Sequence, residues 1–248
     1  MIGIIGFGNM GSAIASRVKV KTLISDKNKR ISSNVSVAKN SDTIILAVKP
    51  QDIKDALKEI RPYVKNKLVI SIAAGVRTAL IEKLLPGARV IRVMPNMPAL
   101  AGKGISAITR GRGAKAVDMK KACGIFSKVG EVVEVKEDMM DAVTAVSGSG
   151  PAYYFLFTYL LAKAGEGVGL DKKLSLKLAI QTLIGAAELV KSKDIALEEL
   201  VKRVASKGGT TEAALKVFKK ENLESIIKKA VKRAAHRSKQ LYKKGRRI

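Results

Sequence analysis

The chain has no tryptophan, one cysteine, one histidine and few other aromatic residues. Each scarcity excludes something. A single cysteine, Cys123, leaves no intrachain disulfide, and it fits a reducing, intracellular compartment. Cys123 is expected in the core. A single histidine, His236, cannot build a Ser-His-Asp group or a histidine metal site, and the carboxylates show no ligand-like clustering. No metal is therefore expected, and the enzyme chemistry that remains must come from a cofactor. No run reaches the roughly 18 apolar residues of a membrane span. Glycines interrupt the opening apolar run, so it does not read as a signal peptide. The expected location is the cytoplasm.

Acidic residues are also scarce, with 21 Asp and Glu against 47 Lys and Arg and a net charge of +26. No acid follows Glu224, whereas Lys228, Lys229, Lys232, Arg233, Arg237, Lys239, Lys243, Lys244, Arg246 and Arg247 do. Such a tail suits a nucleic acid or an acidic membrane, or it is a solvated helix face. Apart from Tyr242 no Phe, Tyr or Trp lies among these charges, unlike the repeated aromatics of single-strand binders, so neither a specific nucleic acid nor a membrane is expected as partner.

Aliphatic residues carry the fold. Apolar residues make up 47% of the 248, enough for one large domain or two of ordinary size. Leu23–Ser25 reads as a short strand, and the runs Thr43–Val48, Leu68–Ala73 and Val90–Met94, the last broken only by Arg92, are mostly apolar rather than alternating, which suits a parallel sheet covered on both faces. Gly104–Thr109 and Val132–Val135 add outer strands, and helical spacing falls between runs, as over Ile53–Tyr63. This is the β-α-β rhythm of a doubly wound α/β fold. The first crossover is short: about 16 residues join Ile5 to Thr22, close to the working minimum of about 10–12. From Pro151 onward nothing reads as strand. Helices are expected up to Ala164, over Leu174–Val190 and Leu197–Val204, from about Thr211 to Phe218, and across Leu223–Leu241, with Gly165, Gly167 and Gly169 breaking the first. Tyr153 and Tyr154 are expected to pack. The expected division is a dinucleotide-binding domain over 1–140 and an all-helical domain over 141–248.

The first strand runs into Gly6-Phe7-Gly8-Asn9-Met10-Gly11, a G-x-G-x-x-G pattern between strand and helix. Gly6 serves the tight turn, Gly8 lets backbone amides approach a pyrophosphate, and Gly11 lets the helix lie close on the sheet. The helix N-terminus adds free N–H groups and partial positive charge. Asp26 follows the second strand, where an acid can bond the ribose hydroxyls of NAD. Lys27, Lys29 and Arg30 come next and suit the 2′-phosphate of NADP. The signals conflict. NADP(H) is favoured because three cations outweigh one carboxylate, and NAD(H) is the alternative. Ala47-Val48-Lys49-Pro50-Gln51, Ser71 to Gly75 and Met94-Pro95-Asn96 end three strands on one edge, where open α/β sheets bind ligands. Ser206-Lys207-Gly208-Gly209-Thr210-Thr211 offers hydroxyls and free amides ahead of a helix. It is either a carboxylate or phosphate trap or a plain helix cap by Thr210 or Thr211.

The stretches GFGNMG (6–11), AVKPQ (47–51), SIAAGV (71–76), RVMPNMPALAGKG (92–104), DAVTAVSGSGPAYYFLF (141–157) and VASKGGTTEAAL (204–215) are spread along most of the chain, and in this order it resembles the pyrroline-5-carboxylate reductase family. The resemblance implies a Rossmann domain followed by a helical dimerisation domain, assembled as homodimers or as pentamers of dimers. It implies reduction of the cyclic imine 1-pyrroline-5-carboxylate to L-proline, with Thr211 placed to bond the ring nitrogen. The cofactor site it implies is Gly6 to Gly11, Ser25, Asn34, Ala47, Val48, Lys49, Ala73 and Ala74, with Met94 and Asn96 near the nicotinamide. The substrate site it implies is Glu137, Ser206, Thr210 and Thr211, with the turn glycines Gly208 and Gly209 between them. Arg203 and Lys207 depart from the family pattern, and Arg203 either adds charge to the pocket or faces solvent. A β-hydroxyacid dehydrogenase or another imine reductase shares both halves and usually places a lysine in the first long helix of the second domain. Lys163 is the candidate here.

Overall fold

In a computed structural model the described residues are 1–18, 20–28 and 31–246. Lys29, Arg30 and Arg247 lie outside them. The chain forms two compact units, Met1–Pro151 with Lys232–Ile248, and Ala152–Val231.

The first unit is built on a seven-stranded sheet of order β2-β1-β3-β4-β5-β6-β7. Its strands are β1 (Ile2–Ile5), β2 (Thr22–Ser25), β3 (Thr43–Leu46), β4 (Leu68–Ser71), β5 (Arg89–Met94), β6 (Gly104–Arg110) and β7 (Gly130–Glu134). The first five run parallel. β6 is antiparallel to β5, and β7 is parallel to β6. All four residues of β1, β3 and β4 are buried, which is why their sequence is continuously apolar. Two aliphatic cores lie on the two sheet faces, one including Ile4, Ile45, Ile70 and Phe126, the other Ile5, Leu46, Leu57 and Val90.

The helices of this unit are α1 (Asn9–Arg17), α2 (Asn34–Lys39), α3 (Ile53–Ile60), α4 (Thr78–Leu84), α5 (Ala116–Phe126) and α6 (Met140–Val143). The pattern at Ile53–Tyr63 resolves into α3 and a 3₁₀ turn at Arg61–Tyr63. α6 passes into a π-helical turn at Thr144–Gly148. Order β2-β1-β3 means that the chain reverses winding direction at β1. The C-terminal ends of β1 and β3 therefore open a crevice between crossovers that leave to opposite sides.

The second unit is helical, with α7 (Gly150–Gly167), α8 (Lys172–Ser192), α9 (Leu197–Val204), α10 (Thr210–Lys220) and the start of α11 (Leu223–Arg246). α7 runs through Gly165 rather than ending before it. The reason is packing: a Cβ on Gly165 would overlap Ser175 Oγ, and Ser175 is buried with its hydroxyl donating to Ala162 O. The helix ends at Gly167, and the chain turns at Gly169, where φ is +100°. Tyr153 and Tyr154 are exposed in this single chain, against the expectation that they pack. Cys123 is half-buried rather than fully buried, packed against the first core, and partial burial raises its thiol pKa. Among the described residues no helix is long and apolar enough to cross a membrane.

Candidate functional site

The register of three strands builds the first part of the site. Ile5 is level with Ser25 on one side and with Leu46 on the other. The next residues, Gly6, Asp26 and Ala47, therefore emerge together at one edge. Gly6 N donates to Ser25 O at 2.8 Å, and Ala47 N to Ile5 O at 2.7 Å. Gly6 has φ +98°, and a Cβ there would lie 2.7 Å from the Ala47 carbonyl. Only glycine fits that turn. Gly8 is the opposite case: a Cβ would meet nothing within 4 Å. The backbone is bare and open at the N-cap of α1, where helix amides lack partners.

These residues border a cleft of about 350 Å³ lined by Gly6, Phe7, Gly8, Asp26, Lys27, Asn28, Asn34, Ala47, Val48, Lys49, Gln51, Asp52 and Ala56. Eight of the expected cofactor residues thus meet in one place. Asn9, Met10 and Gly11 sit in the first turns of α1, and Gly11 is buried against the Gly6 carbonyl. Ser25 is buried, its hydroxyl donating to Asn34 Oδ1 at 2.7 Å, while the Asn34 amide donates to Glu59 at 2.8 Å. Ser25 thus acts on the cleft through Asn34. Ala73 and Ala74 follow β4 at the same edge, with Ala73 N donating to Ser71 Oγ at 3.3 Å. At the end of β5, Asn96 Oδ1 accepts the Ile105 N–H at 2.9 Å, and a Cβ on Gly148 of the π-helical turn would lie 2.7 Å from Met94 Cε. Asp26 is engaged by backbone: Oδ2 accepts the Phe7 N–H at 2.7 Å and Oδ1 the Asn28 N–H at 2.9 Å.

Glu137 belongs to the first unit and is already bonded. Its Oε1 accepts the Thr78 N–H at 2.7 Å and lies 3.5 Å from Arg92 Nη1, and its Oε2 accepts the Thr78 hydroxyl at 2.7 Å. It therefore caps α4 from outside that helix. Arg92 is 2% exposed, and its Nη2 has no partner among the described residues. Burial lowers its pKa, against the opposing pull of Glu137 and Asp141. Asp141 is buried too and accepts the Ser238 hydroxyl of α11 at 2.6 Å. Composition and motifs passed over Thr78, Arg92 and Ser238. The available signal was Arg92, a charge inside an otherwise apolar strand.

In the second unit the turn before α10 has Gly208 at φ +73°, and Gly208 N donates to Glu212 Oε2 at 2.6 Å. Gly209 is the N-cap, with no side-chain cap, and Gly209 N donates to Ser206 O at 3.0 Å. Ser206 and Thr210 are exposed and Thr211 is half-buried at the first turn. Neither threonine is the cap residue. The first-turn amides and three hydroxyls are thus gathered at a helix N-terminus, an arrangement suited to a small carboxylate. Arg203 is exposed and pairs with Glu199 at 3.3 Å. Lys163 is exposed and pairs with Glu166 at 3.1 Å.

The sheet order, the crevice at β1 and the glycine-loop cleft define a Rossmann-type dinucleotide-binding protein with a helical second unit. Residues 19–75 match the family described as NADP oxidoreductase, coenzyme F420-dependent, and residues 137–241 match pyrroline-5-carboxylate reductase dimerisation. The chain is 40% identical over 263 residues to a pyrroline-5-carboxylate reductase of Synechocystis, covering 98% of each, and 38% identical to that of Methanosarcina acetivorans, again over 98% of each. Among solved structures, that of Plasmodium falciparum pyrroline carboxylate reductase with NADP bound is similar with a TM-score of 0.90, 35% identity and 97% coverage of both chains. The chain belongs to the pyrroline-5-carboxylate reductase family.

Proposed function

We propose that this protein reduces 1-pyrroline-5-carboxylate to L-proline, the last step of proline synthesis, with NADPH favoured over NADH. The observation that carries the reading is the presence, each in its own unit, of two amide-lined anion sites in a chain of this family: the bare backbone at Gly8 and the uncapped start of α10. The first fits a pyrophosphate, because the cradle is open where a side chain would close it. The relatives support both the substrate and the NADP preference.

When bound, the reduced nicotinamide supplies the hydride. The chain's own residues hold and orient. Gly6 to Gly11, Ala47, Val48 and Lys49 cradle the dinucleotide with Asn34, backed by Ser25, and Lys27 faces its phosphate. Ala73, Ala74, Met94 and Asn96 border the nicotinamide. Ser206 and the amides of Thr210 and Thr211 hold the substrate carboxylate, with Gly208 and Gly209 shaping the turn, and the Thr211 hydroxyl bonds the ring nitrogen. A protonated imine is already strongly electrophilic, so orientation is the main requirement. Glu137, tied to Thr78 and Arg92, acts as a fixed negative charge that favours the iminium. Residues 1–140 serve the cofactor, and 141–248 serve dimerisation and substrate. The reading extends to a cytoplasmic homodimer or pentamer of dimers, with no nucleic-acid or membrane partner. The test is a spectrophotometric assay of 1-pyrroline-5-carboxylate with each reduced cofactor in turn. Oxidation of NADPH coupled to proline formation is expected, and turnover of a β-hydroxyacid but not of the imine would reject the assignment.

A further inference from the structure

We infer that Asp26 is a latch on the glycine loop rather than a ribose ligand, and that Lys27 makes the choice between phosphorylated and unphosphorylated cofactor. The inference rests on the dinucleotide reading above and assigns two of its residues. An acid at the end of β2 ordinarily accepts the adenosine ribose hydroxyls, which favours NAD and disfavours a 2′-phosphate. Here each carboxylate oxygen is engaged by a backbone amide, and the two amides come from different segments. Phe7 N–H, 2.7 Å from Oδ2, belongs to the loop that opens α1. Asn28 N–H, 2.9 Å from Oδ1, belongs to the turn after β2. Amide bonds to an ionised carboxylate are among the stronger ones. They join the glycine loop to the adenosine end of the cleft, which both segments line.

Two consequences follow from this geometry. The loop amides beyond Phe7 are held in place before any phosphate arrives, so Asp26 serves every dinucleotide alike. The carboxylate charge is spread over two amide donors, which softens its repulsion of a 2′-phosphate. Beside it Lys27 is exposed on the cleft wall. Among the described residues of that turn, its ammonium is the group whose contact depends on that phosphate. The positioning role of Asp26 and the selecting role of Lys27 therefore separate experimentally.

The experiment is calorimetric titration of the full-length protein with NADP⁺, NAD⁺ and 2′,5′-ADP, for wild type, Asp26→Asn and Lys27→Ala, with hydrogen exchange read at Phe7. Asp26→Asn is expected to weaken NADP⁺ and NAD⁺ by the same factor, about tenfold, as for loss of one charge-assisted bond. The Phe7 amide is expected to be protected in the ligand-free wild type and to lose protection in Asp26→Asn. Lys27→Ala is expected to weaken NADP⁺ and 2′,5′-ADP while leaving NAD⁺ unchanged. Selective loss of NAD⁺ in Asp26→Asn, or an unprotected Phe7 amide in the wild type, overturns the latch, and the second readout needs no variant to fold. Unchanged 2′,5′-ADP affinity in Lys27→Ala overturns the selector. Failure of the wild type to bind either dinucleotide would instead refute the dinucleotide reading itself.

Discussion

Thr211 and Glu137 make contrasting demands at the scale of single residues. Thr211 stands in the first turn of α10 with a half-buried side chain. In the proposed mechanism its hydroxyl bonds the imine nitrogen. Thr211→Ala should then lower kcat/KM for the imine by about tenfold or more, equivalent to about 1.4 kcal/mol of transition-state interaction, with the melting temperature unchanged. Glu137 is embedded in structure. Its removal strands Arg92, a buried cation with one nitrogen already unpartnered, and uncaps α4. Loss of one member of a buried ion pair costs about 3–5 kcal/mol. Glu137 is partly exposed and the pair is long at 3.5 Å, so Glu137→Ala should destabilise by about 2–4 kcal/mol in urea unfolding.

The strand-loop-helix unit from β1 to α1 separates folding from binding at the scale of the element. Gly6 has a conformation and a packing environment that forbid a side chain, whereas Gly8 faces open space. Gly6→Ala should therefore lower both thermal stability and NADP⁺ affinity. Gly8→Ala should leave the unfolding free energy within about 0.5 kcal/mol of wild type while reducing NADP⁺ affinity sharply, because its methyl occupies ligand space. Parallel denaturation and titration of the two variants check this contrast. Equal stability losses in both would place the Gly8 backbone against protein rather than ligand.

α7 sets the requirement at the scale of the whole molecule. Its exposed residues include Tyr154, Phe155, Leu156 and Phe157, at 64, 55, 57 and 51% exposure in the single chain. Consecutive residues point to different sides, so this helix is apolar nearly all round. A helix of that kind is stable only when covered, and the match to a dimerisation family over 137–241 gives the cover as a second copy. Phe155→Glu should shift the sedimentation coefficient from oligomer toward monomer at micromolar concentration. Activity should fall together with the loss of assembly. An unchanged oligomer would remove α7 from the interface.

Much of this was legible in the order of residues. The buried strands announce themselves as unbroken aliphatic runs, because a strand covered on both faces has no polar side. The glycine loop is legible because each glycine answers a backbone need, and Leu197–Val204 matches α9 because its apolar positions repeat at the helical period. Other features are invisible locally. Gly165 reads as a breaker, yet it is a contact point for α8, since the residue that excludes its side chain is ten positions away. No local pattern shows that the Asp26 oxygens accept the amides of Phe7 and Asn28, or that Glu137 holds Thr78 and Arg92. Chain order carries periodicity and backbone requirements because both are properties of neighbours. The partners of a buried charge are set by strand register and by loops brought together from distant positions, and only the folded chain establishes them.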